Sequence, residues 1–366
     1  MNESFGYEIA GIRIPFSLIL FAISAVLVLG LTPVVMGVAG RFGVLDHPGP
    51  RRIHQRSVPR LGGLAIAIAT LGTVWVAYMI PGPVGRLEPA PMLGLTLASV
   101  PILLMGIVDD TRGLPAWIKL VAQVIAALVL AQFGFGIPLL THPLGGSIPS
   151  GWLNLPLTVL WVVAVTNAIN LLDGLDGLAS GAVMIAAMTL WWVGRSHGDG
   201  WVMFISAPLA GATLGFLRYN FPPARVFMGD TGSQFLGLAL AALSLLENRK
   251  GTTAITLLLP LVALGIPLID SIAAFFRRMS TGRPVFHGDT DHFHHRLLRI
   301  GLAPRSALMV LWYLCFFLGV MAVVLSALPR HYSLFVLALL GMGLFLAFRV
   351  LRFVDRDRGP GPGNSD

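Results

Sequence analysis

The sequence predicts an all-α, polytopic membrane fold of about eleven transmembrane helices, with ten as the nearest alternative count. Three observations carry that expectation. Of 366 residues, 55% are hydrophobic and 11% charged, whereas a soluble domain carries about 25% charged residues. Mean hydropathy is +0.80, and the apolar residues fall into runs near the roughly 20-residue length at which a helix crosses hydrocarbon. Lys and Arg, finally, are distributed very unevenly between the connections on the two sides of those runs.

In order, the candidate spans are 14-38, 61-80, 92-108, 117-136, 153-171, 178-194, 201-217, 232-246, 252-276, 306-327 and 333-352. The first lacks a basic leader and far exceeds the roughly 7–15-residue core of a signal peptide, so it reads as a retained helix. Gly, Asn and Asp interrupt the fourth to eighth. Eleven spans put the termini on opposite sides. One set of connections, with the C-terminal end, holds 19 of the 25 Lys and Arg residues, so the positive-inside rule places the N-terminus outside and the C-terminus in the cytoplasm. Outer connections are rich in turn residues, such as Pro81-Gly82-Pro83, and a hairpin is expected around 137-151. Residues 1-354 are expected to form one transmembrane domain with its longer loops in the cytoplasm, and the Gly-, Pro- and Arg-rich stretch 355-366 reads as a disordered cytoplasmic tail.

A net charge of +8 would suit nucleic acid, but the basic residues lie in short stretches between apolar runs and form no continuous face. Membrane orientation explains them, and no nucleic-acid partner is expected. The single cysteine, Cys315, lies within an apolar run and supports neither a disulfide framework nor a thiolate metal site.

The same sidedness sorts the acids and histidines. Asp46, Asp109, Asp110, Asp173, Asp176, Asp230, Asp289 and Asp291, with six histidines, all fall on the cytoplasmic side. Asp109 and Asp110 end the third span, and two adjacent carboxylates repel unless a cation or proton is shared, which suggests Mg²⁺ or a general base. A solvated helix terminus is the plainer alternative. Asn167, Asn170, Asp173 and Asp176 recur every three residues at the end of an apolar run, projecting oxygen-bearing side chains towards one region. Phe227-Met-Gly-Asp230-Thr-Gly-Ser233 opens the eighth span, where Asp230 suits a cation and free helix N–H groups suit phosphate, or where Asp and Ser merely cap. Asp289, His292, His294, His295 and Arg296 crowd one loop; without thiolates, and with Arg296 present, they fit phosphate better than zinc.

The first cytoplasmic loop supplies Arg51, Arg52, His54 and Arg60 before Leu61-Gly62-Gly63, a set that suits phosphate as well as topology. Lys119, just inside the fourth span, either snorkels or binds phosphate. Asp270, well inside an apolar run, either lines a cavity or pairs with another helix. Oxygen ligands, basic groups for polyanions and a membrane location together call for Mg²⁺, a phosphorylated soluble substrate and a lipid co-substrate.

These motifs, in this order from about Asp46 to Gly301, resemble the polyprenyl-phosphate N-acetylhexosamine-1-phosphate transferase family, of glycosyltransferase family 4 type. Within it the loop Asp289-Thr-Asp-His292-Phe-His294-His295-Arg-Leu looks like the bacterial branch that uses UDP-N-acetylglucosamine. Related phospho-MurNAc-pentapeptide transferases carry three consecutive histidines there, which Phe293 interrupts. The resemblance implies transfer of GlcNAc-1-phosphate from UDP-GlcNAc to undecaprenyl or decaprenyl phosphate, releasing UMP, as the lipid-linked first step of a cell-envelope polysaccharide.

The implied enzyme is a multi-pass protein of the cytoplasmic membrane with its site facing the cytoplasm, and a homodimer stays open. Asn170 and Asp230 would bind Mg²⁺, with Mn²⁺ as a substitute. Asp109 and Asp110 would position or deprotonate the lipid phosphate, Lys119 would contact phosphate, and Asp173 and Asp176 would lie near nucleotide and sugar. Phe227 would sit near uracil, and His292, His294 and His295 near sugar and diphosphate. Transfer of phospho-MurNAc-pentapeptide is the same-class alternative. A lipid or solute transporter is the alternative from another class, whose charges would line a central pathway instead of one face.

Overall fold

The computed structural model describes residues 6–9, 12–48, 56–82, 84–141, 147–248, 297–298, 301–328 and scattered positions between 332 and 349. Among these residues the architecture is a helical bundle. Its helices are α1 (Phe16–Arg41), α2 (Gly62–Met79), α3 (Ala90–Arg112), α4 (Ala116–Gln132), α5 (Asn154–Leu172), α6 (Leu178–His197), α7 (Gly200–Asn220), α8 (Gly229–Asn248) and α9 (Pro304–Ala327). They coincide with the first eight expected spans and the tenth. Among the described residues seven helices are long and apolar enough to cross a membrane and α4 is a shorter apolar helix; the chain is a multi-pass membrane protein. The ninth expected span, with Asp270, lies outside the described residues.

Three two-stranded antiparallel hairpins amend the all-α expectation: β1 (Gly6–Ile9) with β2 (Ile12–Pro15), β3 (Leu45–Asp46) with β4 (Val58–Pro59), and β5 (Leu139–Thr141) with β6 (Ser147–Pro149). The third is the hairpin expected around 137-151. The other two escape a reading by hydrophobic period because their strands are only two to four residues long. β3 and β4 close the base of the first loop, and the Arg60 guanidinium, immediately after β4, meets the Asp46 carboxylate.

α8 stands inside the bundle and packs against α2, α3 and α5, while α4 bridges α3 and α5. From Thr231 to Leu246 every residue of α8 is buried, so the helix is covered by its neighbours on every side. α7 is buried over most of its length between α1, α2 and α6, and α9 lies on α6. Small residues set these approaches. A Cβ at Gly211 would fall 2.1 Å from the Phe21 carbonyl oxygen, and one at Gly215 2.5 Å from that of Ala25, so α7 touches the α1 backbone at successive turns.

The connections 42–61, 113–115, 173–177 and 221–228 join α1 to α2, α3 to α4, α5 to α6 and α7 to α8. Hydrogen bonds between these connections and the neighbouring helix ends show that they gather at one end of the bundle. That gathering assembles the site.

Candidate active site

Asp109 and Asp110 occupy the last turn of α3, Lys119 the first turn of α4, Asn170 the last turn of α5, and Asp230 the first turn of α8. The Lys119 ammonium donates to Asp109 Oδ2 at 2.7 Å and to Asp230 Oδ2 at 2.5 Å, and Asn170 Nδ2 donates to the same Asp230 oxygen at 3.2 Å. One lysine thus holds two carboxylates from two helices. Asp109 Oδ1 accepts the Leu114 N–H at 2.7 Å, which secures the turn into α4. Unpaired, two carboxylates this close in a half-buried site would repel strongly; the shared ammonium removes that cost.

Asp110 faces a different way. Its Oδ1 accepts the Asp230 N–H at 2.9 Å, and its Oδ2 accepts the Thr231 N–H at 3.1 Å and the Thr231 hydroxyl at 2.7 Å. A carboxylate on α3 therefore caps the N-terminus of α8, satisfying amides that have no partner within the helix. Gly229 makes room for it: its φ is +69°, and a Cβ would lie 2.3 Å from Asp110 Oδ2. Side-chain bulk and backbone conformation both exclude other residues there.

The first loop locks onto the same helix end. Pro59 accepts the Phe227 N–H at 2.9 Å, while Gly62 and Gly63 donate to the Phe227 and Met228 carbonyls at 3.0 and 2.9 Å. A Cβ on Gly63 would lie 1.9 Å from the Gly232 Cα, and one on Gly106 2.4 Å from the Thr231 Cα. α2 and α3 thus close on the first turn of α8 through glycines, and the position of Asp230 is fixed from both sides.

Asp173, half-buried, follows α5, and its N–H donates to the Asn170 carbonyl at 3.2 Å. Burial, then the charges of Asp230, Asp110 and Asp176, push its carboxyl well above the ordinary 3.8, with Arg60 acting in the opposite sense. Asp176 accepts the Ala224 N–H at 2.9 Å and so ties the 173–177 turn to the connection before α8.

The sequence expectations therefore divide. Asp109, Lys119, Asn170 and Asp230 are joined directly, with Asp110 behind them and Asp173 beside them. Asn167 bonds Gln123 instead, its Nδ2 donating to Gln123 Oε1 at 2.8 Å. Arg60 is held by Asp46, and Phe227 meets the first loop through its backbone. Arg51, Arg52, His54, Asp289, His292, His294, His295 and Arg296 lie outside the described residues.

Asn220, at the end of α7, was not among the expected residues. Its Oδ1 accepts the Gly177 N–H and the Ser180 hydroxyl at 3.1 and 3.0 Å, and its Nδ2 donates to the Val226 carbonyl at 3.0 Å. It stitches two site loops together. The available signal was an amide closing an apolar run, the same signal that marks Asn170.

Among the described residues no group of three or more His, Cys, Asp or Glu is placed to hold a metal alone. Mg²⁺ does not require one, because it is commonly held by one or two carboxylates with water and substrate phosphates. Asp230, Asp109 and the amide oxygen of Asn170 are hard oxygen donors, among the described residues no thiolate or imidazole bonds to them, and a cationic group already sits between the two carboxylates. That donor chemistry fits Mg²⁺.

The family described as Glycosyl transferase family 4 matches residues 92–248, from α3 to the end of α8. A probable undecaprenyl-phosphate N-acetylglucosaminyl 1-phosphate transferase of Bacillus subtilis (strain 168) is 37% identical over 325 residues, covering 87% of this chain and 88% of its own. A decaprenyl-phosphate N-acetylglucosaminephosphotransferase of Mycobacterium leprae (strain TN) is 36% identical, covering 79% and 78%. A phospho-N-acetylmuramoyl-pentapeptide-transferase of Desulforudis audaxviator (strain MP104C) is 31% identical, covering 81% and 93%.

Proposed function

The chain belongs to glycosyl transferase family 4 and is a phosphotransferase; on that footing we propose that it moves GlcNAc-1-phosphate from UDP-GlcNAc to a polyprenyl phosphate, undecaprenyl or decaprenyl. An oxygen of the lipid phosphate attacks the β-phosphorus of the nucleotide sugar. The bond from that phosphorus to the bridging oxygen breaks, and UMP leaves as polyprenyl-diphosphate-GlcNAc forms. A single displacement needs no covalent enzyme intermediate. The polyprenyl tail stays in the bilayer while the nucleotide enters from the cytoplasm, which suits a site at one end of a membrane bundle.

Lys119, bridging Asp109 and Asp230 beside Asn170, is the observation that carries this reading. Two polyanions must meet, so the chemistry needs cationic charge fixed where negative charge accumulates. Lys119 supplies one such charge. Asn170 and Asp230 are the residues that would hold Mg²⁺, which supplies neutralisation and orientation of the diphosphate when bound. Asp109 orients Lys119 and the incoming lipid phosphate. Asp110, both of whose oxygens are taken by α8, positions Asp230, and Asp173 and Asp176 shape the nucleotide side of the site.

Phospho-MurNAc-pentapeptide transfer is the second reading, supported by the relative that is 31% identical. The greater identity to the two N-acetylglucosamine enzymes favours the first. The deciding assay gives purified protein polyprenyl phosphate and Mg²⁺ with either UDP-GlcNAc or UDP-MurNAc-pentapeptide and measures UMP. UMP should appear with UDP-GlcNAc, require both lipid and Mg²⁺, and be lost in Asp230→Asn. Release only from the pentapeptide nucleotide would establish the second reading.

A further inference from the structure

One helical turn away from the Lys119–Asp230–Asn170 cluster lies a second polar triad on the same three helices. Gln123 is four residues after Lys119 on α4, Gln234 four after Asp230 on α8, and Asn167 three before Asn170 on α5. Spacings of three and four place each pair on one helix face, about 4.5–6 Å apart along the axis. Gln123 is the hub. Its Nε2 donates to Gln234 Oε1 at 2.8 Å and to Asn167 Oδ1 at 3.3 Å, while its Oε1 accepts from Asn167 Nδ2 at 2.8 Å. Gln123 and Gln234 are 0% and 1% exposed.

Burying two glutamines in an apolar bundle costs free energy unless their groups are paired, and pairing them demands one relative rotation and height of the helices. Hydrophobic side chains of similar size would fill the space without that demand. We propose that Gln123 and Gln234 are positioning residues for transfer, holding α4, α5 and α8 in the register at which Lys119, Asn170 and Asp230 meet. A slide or rotation of α8 that parts Asp230 from Lys119 must also break the Gln123–Gln234 bond. The amides are uncharged, so the register is fixed without adding a charge beside the diphosphate.

The catalytic part of this inference rests on the reaction proposed above; the structural part does not, and the experiment separates them. Gln234→Leu, Gln123→Met, Lys119→Met and the double variant Gln234→Leu/Lys119→Met are purified beside the wild type. Tm is measured without substrates, and kcat and KM with UDP-GlcNAc. If the lower triad sets the upper one, the Tm shift of Lys119→Met shrinks in the Gln234→Leu background, since coupled residues are not additive. Both glutamine variants should lose about tenfold to a hundredfold in kcat, as misplacement of a reacting group does, with KM changing far less.

Additive Tm shifts overturn the proposal, as does an unchanged kcat in the folded glutamine variants. If Gln234→Leu does not fold, Gln123→Met with Asp230→Asn forms the corresponding cycle across α4 and α8. A folded wild type that releases no UMP defeats the proposed reaction, while the Tm cycle still decides the register.

Discussion

Asp110 and its neighbour Asp109 are chemically identical and adjacent, yet the structure gives them different work. Asp109 turns towards the Lys119 ammonium and Asp110 towards the amides of α8. A general base and a cap respond differently to Asp110→Asn. Loss of a base removes about 10²–10⁴ in rate, whereas a cap substitution costs about 1 kcal/mol of stability, and asparagine keeps one acceptor oxygen for the helix. We expect Asp110→Asn to lower Tm and to keep kcat within that hundredfold, and thermal melts beside UMP-release kinetics check both.

Asp173 gives the second residue-scale prediction. Its folded pKa lies well above the ordinary 3.8, through burial first and then Asp230, Asp110 and Asp176. A carboxyl with a raised folded pKa binds its proton more tightly in the folded state, so folding loses stability as pH rises from the ordinary value towards the raised one. Asp173→Asn cannot ionise. Without substrates or Mg²⁺, its Tm relative to the wild type should increase as pH is taken upward from about 4. A difference in Tm that stays flat with pH would contradict the assignment.

At the scale of elements, the nine helices among the described residues were legible because each is an apolar run of near-spanning length bounded by Gly, Pro or charge. α1, expected over 14-38, occupies 16–41, and α6, expected over 178-194, occupies 178–197. The conspicuous polar residues were legible for the same reason: Asp109, Asn170 and Asp230 stand out where apolar runs end. Their partners were not. Whether a carboxylate at the end of α3 meets a lysine, a metal or a helix terminus depends on how α3, α4 and α8 cross, and that crossing is set by glycine contacts such as Gly63 on Gly232 and Gly106 on Thr231. A glycine in a membrane helix reads the same in sequence whether it faces lipid or another backbone. Gln123 and Gln234 passed unnoticed as neutral amides within apolar runs, and only the placement of α4 beside α5 and α8 gives them a common purpose.

For the whole molecule, the four connections that build the site lie at one end of the bundle, and they alternate with the connections 80–89, 133–153 and 198–199. In an antiparallel bundle, alternation puts those three at the other end. The excess of Lys and Arg belongs to the site end, including Arg41, Arg56, Arg60, Arg112, Arg218 and Arg225, and the positive-inside rule then predicts that the site opens to the cytoplasm. This is also the side from which a charged nucleotide sugar arrives without crossing lipid. The chain is suited to a direct test because its only cysteine, Cys315, is buried. In a Cys315→Ser background, Arg56→Cys probes the first loop and Arg86→Cys the turn before α3, both at exposed positions. A membrane-impermeant maleimide added to intact spheroplasts should label Arg86→Cys and reach Arg56→Cys only after the membrane is opened. Labelling in the opposite order would invert the bundle and place the site outside, where no cytoplasmic nucleotide could reach Lys119.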